Sequence, residues 1–235
     1  ENIFQSGSSW NNIHWGSRLM FKDGLLYASI GERGYGSVAQ DPTSYFGKMI
    51  RINKDGTAPK DNPYSMNEDW LPEIYQIGLR NPQGIMLHPN DSEIYITNHG
   101  PKGGDFFGKV EAGTNYGWAD VAWGGIDYDG SIIGDGSAWK EGLLRPIYTW
   151  VPSIAVSDMT FYGGELFPEL KNKILVTSLK AQRLISLEFD GKKARNETTL
   201  FEKVGRVRDV ETNSAGEIYV IIDNEDSGIW KLVNN

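Results

Sequence analysis

Cysteine is absent from this 235-residue chain, which excludes disulfides, thiolate nucleophiles and cysteine-ligated zinc, and fits an oxidising or a reducing compartment equally. An excess of positive charge is also lacking. Lys and Arg number 23 against 31 Asp and Glu, a formal balance of -8. Nucleic acid and anionic membrane are therefore poor partners, because phosphate binding needs a basic face. No apolar run approaches the length that spans a bilayer. Few segments keep a 3.6-residue hydrophobic period, which argues against a helical protein. A starting Met and a signal-like segment are missing as well, so from Glu1 the chain reads as a processed or truncated product without its targeting information.

What is present is glycine, at 28 residues, and aromatics at 12%, against only 39% hydrophobic residues. That balance suits many short strands joined by tight turns, in one all-β domain over residues 1–235. Four segments share a plan of strand, turn, strand and polar loop. The first joins Arg18–Phe21 to Leu26–Ile30 through Lys22-Asp23-Gly24. The second joins Ile85–Leu87 to Ile94–Thr97 through Pro89-Asn90-Asp91, the third Met159–Tyr162 to Ile174–Thr177, and the fourth Asp209–Glu211 to Ile218–Ile221. A further strand follows three of them, at Lys48–Ile52, Leu184–Phe189 and Ile229–Val233. An irregular repeat of antiparallel units predicts a β-propeller of four-stranded blades, with a β-sandwich as the alternative. In a propeller the recurring polar loops gather at one end of the central channel, where a ligand would sit.

Those loops carry the candidate chemistry. Arg80 and Asn81 lie between Gly78 and the Pro82-Gln83-Gly84 turn, on a backbone that proline restrains. His14 precedes the first unit and is suited to taking a proton at neutral pH; His88, at a turn after a strand, reads as structural or exposed. Arg206 and Arg208 alternate at the start of the fourth unit, and Lys180 closes the corresponding loop of the third. Arg80, Lys180, Arg206 and Arg208 thus converge on one mouth in an acidic protein, which predicts a small polyanionic ligand; the bland reading is that each Arg pairs with a local acid such as Asp209. Between units two and three, Asp120, Asp127, Asp129 and Asp135 stand among glycines. Such a tract can wrap calcium, although its spacing matches no EF-hand; a solvated insertion is the other reading.

The motifs HWGSRLMFKDGLLY, AQDPTSYFGKMIRINKDGTAPKDNPY, GLRNPQG, HGPKGGD, NYGW, WVPSIA, TSLK and GRVRDV, in this order over nearly the whole chain, resemble the soluble PQQ-dependent aldose and glucose dehydrogenases, six-bladed β-propellers. The resemblance implies oxidation of an aldose to its lactone with PQQ and Ca2+ as cofactors, a soluble electron acceptor, and a periplasmic or secreted location. It implies that His14 is the catalytic base and that Arg80 lies near the reacting carbonyl. It further implies that Asn81, Lys180, Arg206 and Arg208 hold the cofactor, that Trp150 and Ser153 line its pocket, and that the carbonyls of Gly100 and Pro101 bind calcium. Two departures stand out. Phe106-Phe107-Gly108 replaces the usual Glu-Ile-Asn, removing a carboxylate near the metal loop, and four repeat units appear where the family has six. About two blades are therefore expected to be missing, to be supplied by a homo-oligomer or partner chain, or to leave an unusual closure. The reading from a different class is a non-catalytic propeller that binds a ligand or partner.

Overall fold

A computed structural model describes residues 1–233. Its strands form four antiparallel sheets, each built from strands consecutive in sequence. The first comprises β1 (Leu19–Lys22), β2 (Leu25–Ile30), β3 (Lys48–Ile52) and β4 (Ile74–Gln76). In the second are β5 (Pro82–Leu87), β6 (Ile94–Asn98), β7 (Asp105–Lys109) and β8 (Tyr148–Trp150). The third holds β9 (Val156–Tyr162), β10 (Lys173–Ser178), β11 (Arg183–Phe189) and β12 (Ala194–Glu202). The fourth, β13 (Arg206–Thr212), β14 (Ile218–Asp223) and β15 (Gly228–Lys231), has three strands among the described residues, where a blade of four was expected. The β1–β2 turn shows how local sequence sets this topology: Asp23 and Gly24 both take positive φ, at 52° and 82°, the backbone that matches the twist of a two-residue hairpin.

Alternation along each strand sends side chains to the two faces of its sheet, so each inner sheet packs against two neighbours. In the third sheet, Ile174 and Val176 pack with Met86, Tyr95 and Phe107 of the second, while Leu175 and Leu184 pack with Val207, Val220 and Ile222 of the fourth. Tyr27 and Met49 of the first sheet meet Ile85, Ile96 and Phe106 of the second. Phe106 and Phe107, on successive positions of β7, are thus core on opposite faces of the sheet.

The leading strands β1, β5, β9 and β13 lie side by side in an arc around a channel of about 460 Å3. Arg18 spans it, 3.6 Å from Asp158 and 3.6 Å from Asp209. The arc remains open: Leu19 and Phe21 on β1 are 66% and 54% exposed, and Ile229 and Trp230 on β15 are 74% and 50% exposed. These flanks present the apolar faces and strand edges that an adjoining blade would cover.

Candidate functional site

Because the hairpins alternate in direction, the segments leading into β1, β5, β9 and β13 share one end of the arc with the β2–β3, β6–β7 and β10–β11 loops. His14, Arg80, Gly100, Lys180 and Arg208 therefore stand at one end. The β1–β2 ladder continues past its strands through the bond from Gly31 N–H to Gly16 C=O, 2.9 Å, which brings His14 beside Glu32. His14 Nδ1 lies 2.5 Å from Oε1 of Glu32, which is only 1% exposed. Arg33 Nη1 donates to the His14 carbonyl at 2.5 Å and its guanidinium covers the Trp15 ring at 4.2 Å. A buried carboxylate and a braced backbone thus fix the imidazole.

Arg80 is buried and donates through Nη1 to the Gly100 carbonyl at 3.2 Å. Its guanidinium lies 5.2 Å from the ring of Trp118 and 5.7 Å from that of Tyr128. The Gly100 peptide is held from its other side by Asp105, which accepts from Gly100 N–H at 2.8 Å, from Ser153 Oγ at 2.8 Å and from Val156 N–H at 3.2 Å. Burial pushes the Asp105 carboxyl up, and these donors oppose the shift. His99, whose Nε2 bonds the Val156 carbonyl, is pushed down to about 3 by burial, with Arg80, His14 and Arg208 adding to the effect. It is neutral at physiological pH, and its surroundings place those three basic residues within electrostatic reach of one point.

Arg206 and Arg208 both face Asp223, at 3.5 and 2.7 Å. A local acid does pair with them, but it is Asp223 from β14; Asp209 instead faces Arg18 and Asp158. Burial and the neighbouring Asp209 push the Asp158 carboxyl up, against the opposing pull of Arg18.

The remaining expected site residues divide. Lys180 is exposed on the β10–β11 loop. Asn81 is engaged in the framework, its Oδ1 accepting from Gly16 N–H at 2.8 Å, and Ser153 is engaged by Asp105. Trp150 does not line the mouth: it sits on the outermost strand of the second sheet, in the core between sheets, with its indole N–H on Glu197 Oε2 at 2.7 Å. The acidic tract forms no metal cluster, and among the described residues no group of three His or carboxylate side chains is arranged to hold an ion. Its carboxylates cap their own turns instead: Asp129 accepts from Ser131 N–H and Oγ, Asp135 from Ser137 N–H, and Asp127 from Tyr128 N–H. His88, buried at 3% exposure, is boxed edge-on by Tyr95, Phe161 and Phe189.

Two clefts meet at His14. One, of about 580 Å3, is lined by Trp15, Arg18, Gln83, Arg206 and Arg208. Its charge suits a small polyanion, since guanidinium forks pair with carboxylates. The other, of about 380 Å3, is lined by Glu32, Arg80, Trp118, Asp127 and Tyr128. The Gly100 and Pro101 carbonyls are the kind of oxygen that calcium takes, and a carbonyl with two lone pairs can serve both Arg80 and an ion; with Phe at 106, further oxygens have to come from the ligand or water. Glu32, Asp105, Trp118 and Tyr128 were not singled out from the sequence. Only Glu32 had a usable signal, because extending the Leu19–Ala28 register outward sets His14 next to Glu32 and Arg33.

Comparison with known proteins adds the following. The family model described as Glucose / Sorbosone dehydrogenase matches residues 1–231. The chain is 34% identical over 222 residues to the aldose sugar dehydrogenase YliI of Escherichia coli (strain K12), covering 93% of this chain and 60% of that protein. It is 34% identical over 185 residues to quinoprotein glucose dehydrogenase B of Acinetobacter calcoaceticus, covering 67% of this chain and 37% of that one. A crystal structure of a glucose dehydrogenase superposes with a TM-score of 0.94 at 32% identity, over 99% of this chain and 68% of the other. The chain therefore spans 60% or less of the length of these two curated relatives.

Proposed function

The chain belongs to the glucose/sorbosone dehydrogenase family, and from that premise we propose that it serves the oxidation of an aldose at C1 to the lactone, with PQQ and calcium as cofactors. The observation that carries the reading is the His14–Glu32 pair, held at 2.5 Å in the wall between a basic cleft and a second, mixed one. PQQ supplies the two-electron acceptor, and calcium the charge that polarises it.

The chain's own residues do the rest. Glu32 takes the hydrogen bond from Nδ1 and so leaves Nε2 as the basic nitrogen, which accepts the C1 hydroxyl proton as C1 is oxidised. Glu32 also stabilises the imidazolium that results. Arg206 and Arg208, with Lys180 on the neighbouring loop, offer charge-assisted donors to the carboxylates of the cofactor. Arg80 would offer its guanidinium to negative charge on the bound cofactor, and the Gly100 and Pro101 carbonyls would hold calcium. Asn81 and Ser153 act at one remove, by fixing Gly16 and Asp105. The same reading takes the reduced cofactor to be reoxidised by a soluble acceptor, in a periplasmic or secreted setting, with a homo-oligomer or partner chain covering the open flanks.

The test is a titration of the chain with PQQ in the presence of calcium, followed by dye reduction with a panel of aldoses, in wild type and His14→Ala. Saturable PQQ binding in both, with turnover in wild type falling by about 10² to 10⁴ in the variant, is the expected result. PQQ binding without turnover in wild type would favour a ligand-binding propeller, and absence of PQQ binding would defeat the cofactor assignment.

A further inference from the structure

Two carboxylates face one guanidinium in the channel. Arg18 lies 3.6 Å from Asp158 and 3.6 Å from Asp209, and among the described residues these are its ion pairs. Both separations exceed hydrogen-bond length, and Arg18 Nε finds no hydrogen-bond partner. The guanidinium is therefore loosely held, by two acids of which it can neutralise one. Asp158 is only 7% exposed, so a second negative charge beside it is poorly screened. Burial, and then Asp209, raise its carboxyl to about 8, and the pair keeps one proton at neutral pH. Glu211, which is exposed, is the other charged group lining the channel. The remaining elements packed about Asp158 add no free charge. Arg206 and Arg208 of β13 are on Asp223, Tyr95 of β6 is on Asp91, β5 contributes apolar side chains, and β10 faces Asp158 with Thr177, whose hydroxyl accepts from its N–H at 2.8 Å.

Arg18 also lines the basic cleft at the mouth, together with His14, Arg206 and Arg208. One partly exposed side chain thus borders both spaces. Its charge can go to an anion in the cleft or to the acids in the channel, and the proton decides how much of it the acids claim. With one proton on the pair, a single carboxylate is left to attract Arg18. With none, two carboxylates compete for it and add their own negative field to the cleft.

We propose that the Asp158–Asp209 pair is a proton-controlled switch on anion binding in the basic cleft: the singly protonated pair leaves Arg18 to the anion, and the fully ionised pair withdraws it. The assignment rests on the cofactor reading for the identity of the anion, and it deepens that reading by giving the same cleft a pH-dependent affinity. An anion that takes a share of Arg18 removes the group that favours ionisation of the pair, so a filled cleft lets the pair hold its proton to higher pH. Binding is accompanied by proton uptake. Affinity is highest below about pH 8 and falls as the pH rises through that value.

The experiment is calorimetric titration of the full chain with benzene-1,3,5-tricarboxylate, which is fully ionised throughout, between about pH 7 and about pH 9.5. It compares wild type with Asp158→Asn, Asp209→Asn and Arg18→Met. Wild type is expected to lose affinity about tenfold across that range, with proton uptake near about pH 8 revealed by the heats in buffers of different ionisation enthalpy. Asp158→Asn, which keeps the shape of the side chain, should bind at the upper pH as wild type does at the lower and take up no proton. Asp209→Asn, at a side chain 27% exposed, should match it, and Arg18→Met should bind weakly at either pH. An equal loss of affinity in wild type and both Asn variants would belong to other groups, such as His14, and would overturn the proposal; so would an absence of binding by wild type. The same series with PQQ and calcium separates the two readings. PQQ affinity indifferent to Asp158 and Asp209 would overturn the switch and keep the cofactor. Proton-linked binding of the tricarboxylate with no binding of PQQ would defeat the cofactor reading and leave the switch standing.

Discussion

His14 holds a left-handed backbone, φ 54°, a conformation uncommon for a residue with a side chain and kept only where its surroundings enforce it. Gly31 is part of that enforcement, since a Cβ there would meet the His14 carbonyl at 2.1 Å. The histidine and the glycine were both visible in the sequence; their contact was not, because it depends on a ladder carried beyond the ends of β1 and β2. Lys48 is a second residue whose role was hidden. It reads as a polar residue at the start of a strand that also holds Arg51, yet it is fully buried, with Nζ donating to the carbonyls of Val38 and Phe46 at 2.7 and 2.9 Å. Burial pushes its ammonium down to about 7 from an ordinary value of 10.5. Between those two values the unfolded chain binds more protons than the folded one, so stability rises with pH across that window, and the cost of burying the charge is fully present below about pH 7. Urea midpoints of wild type should accordingly climb from pH 7 to pH 10, and those of Lys48→Met should stay nearly level. Parallel slopes for the two proteins would show that Lys48 is not the group responsible.

At the scale of elements, the sequence was most legible where apolar runs are bounded by turn residues, and the paired strands β1–β2, β5–β6, β9–β10 and β13–β14 fall where that pattern put them. Four strands escaped it. β4 and β8 have three residues each, too short to show a period. In β12, polar residues fill an outer strand that has one sheet neighbour. β7 opens with Asp105, which belongs equally to the glycine-rich loop before it, so the strand was read as the tail of a motif. That residue ties the β6–β7 loop to the segment before β9. Asp105→Ala would strand the Gly100 and Val156 N–H groups and the Ser153 hydroxyl away from water, a loss of about 3 kcal/mol or more. Urea unfolding should register it, and Asp105→Asn, which keeps one acceptor, should recover part. Trp150 was hard to place for a related reason: next to a polar WVPS segment it looked like part of a pocket, whereas the pleat of β8 turns its ring into the core between two sheets.

For the molecule as a whole, charge and apolar surface are distributed unevenly. Arg80, Lys180, Arg206 and Arg208 stand at one end of an acidic chain, and exposed apolar side chains, Leu19, Phe21, Ile229 and Trp230, lie on the two flanks of the arc. Phe21 and Trp230 make little use of their area, so Phe21→Lys and Trp230→Lys should each lower the binding of an apolar dye such as ANS while moving stability by no more than about 0.5 kcal/mol. A fall in stability of several kcal/mol would mean that these rings are covered in solution.

Arg18 has a consequence for how the chain reaches its fold. Each sheet is assembled from strands consecutive in sequence, so the β1–β2, β5–β6, β10–β11 and β13–β14 ladders close short loops and can form early. Arg18 reaches instead to Asp158 and Asp209, and loop-closure entropy defers contacts of such long separation. An interaction formed after the rate-limiting step acts on escape from the native state rather than on arrival. Stopped-flow measurements on Arg18→Met should thus find refolding at the wild-type rate and unfolding accelerated, so that the lifetime of the assembled arc, more than the speed of its assembly, is set by one arginine.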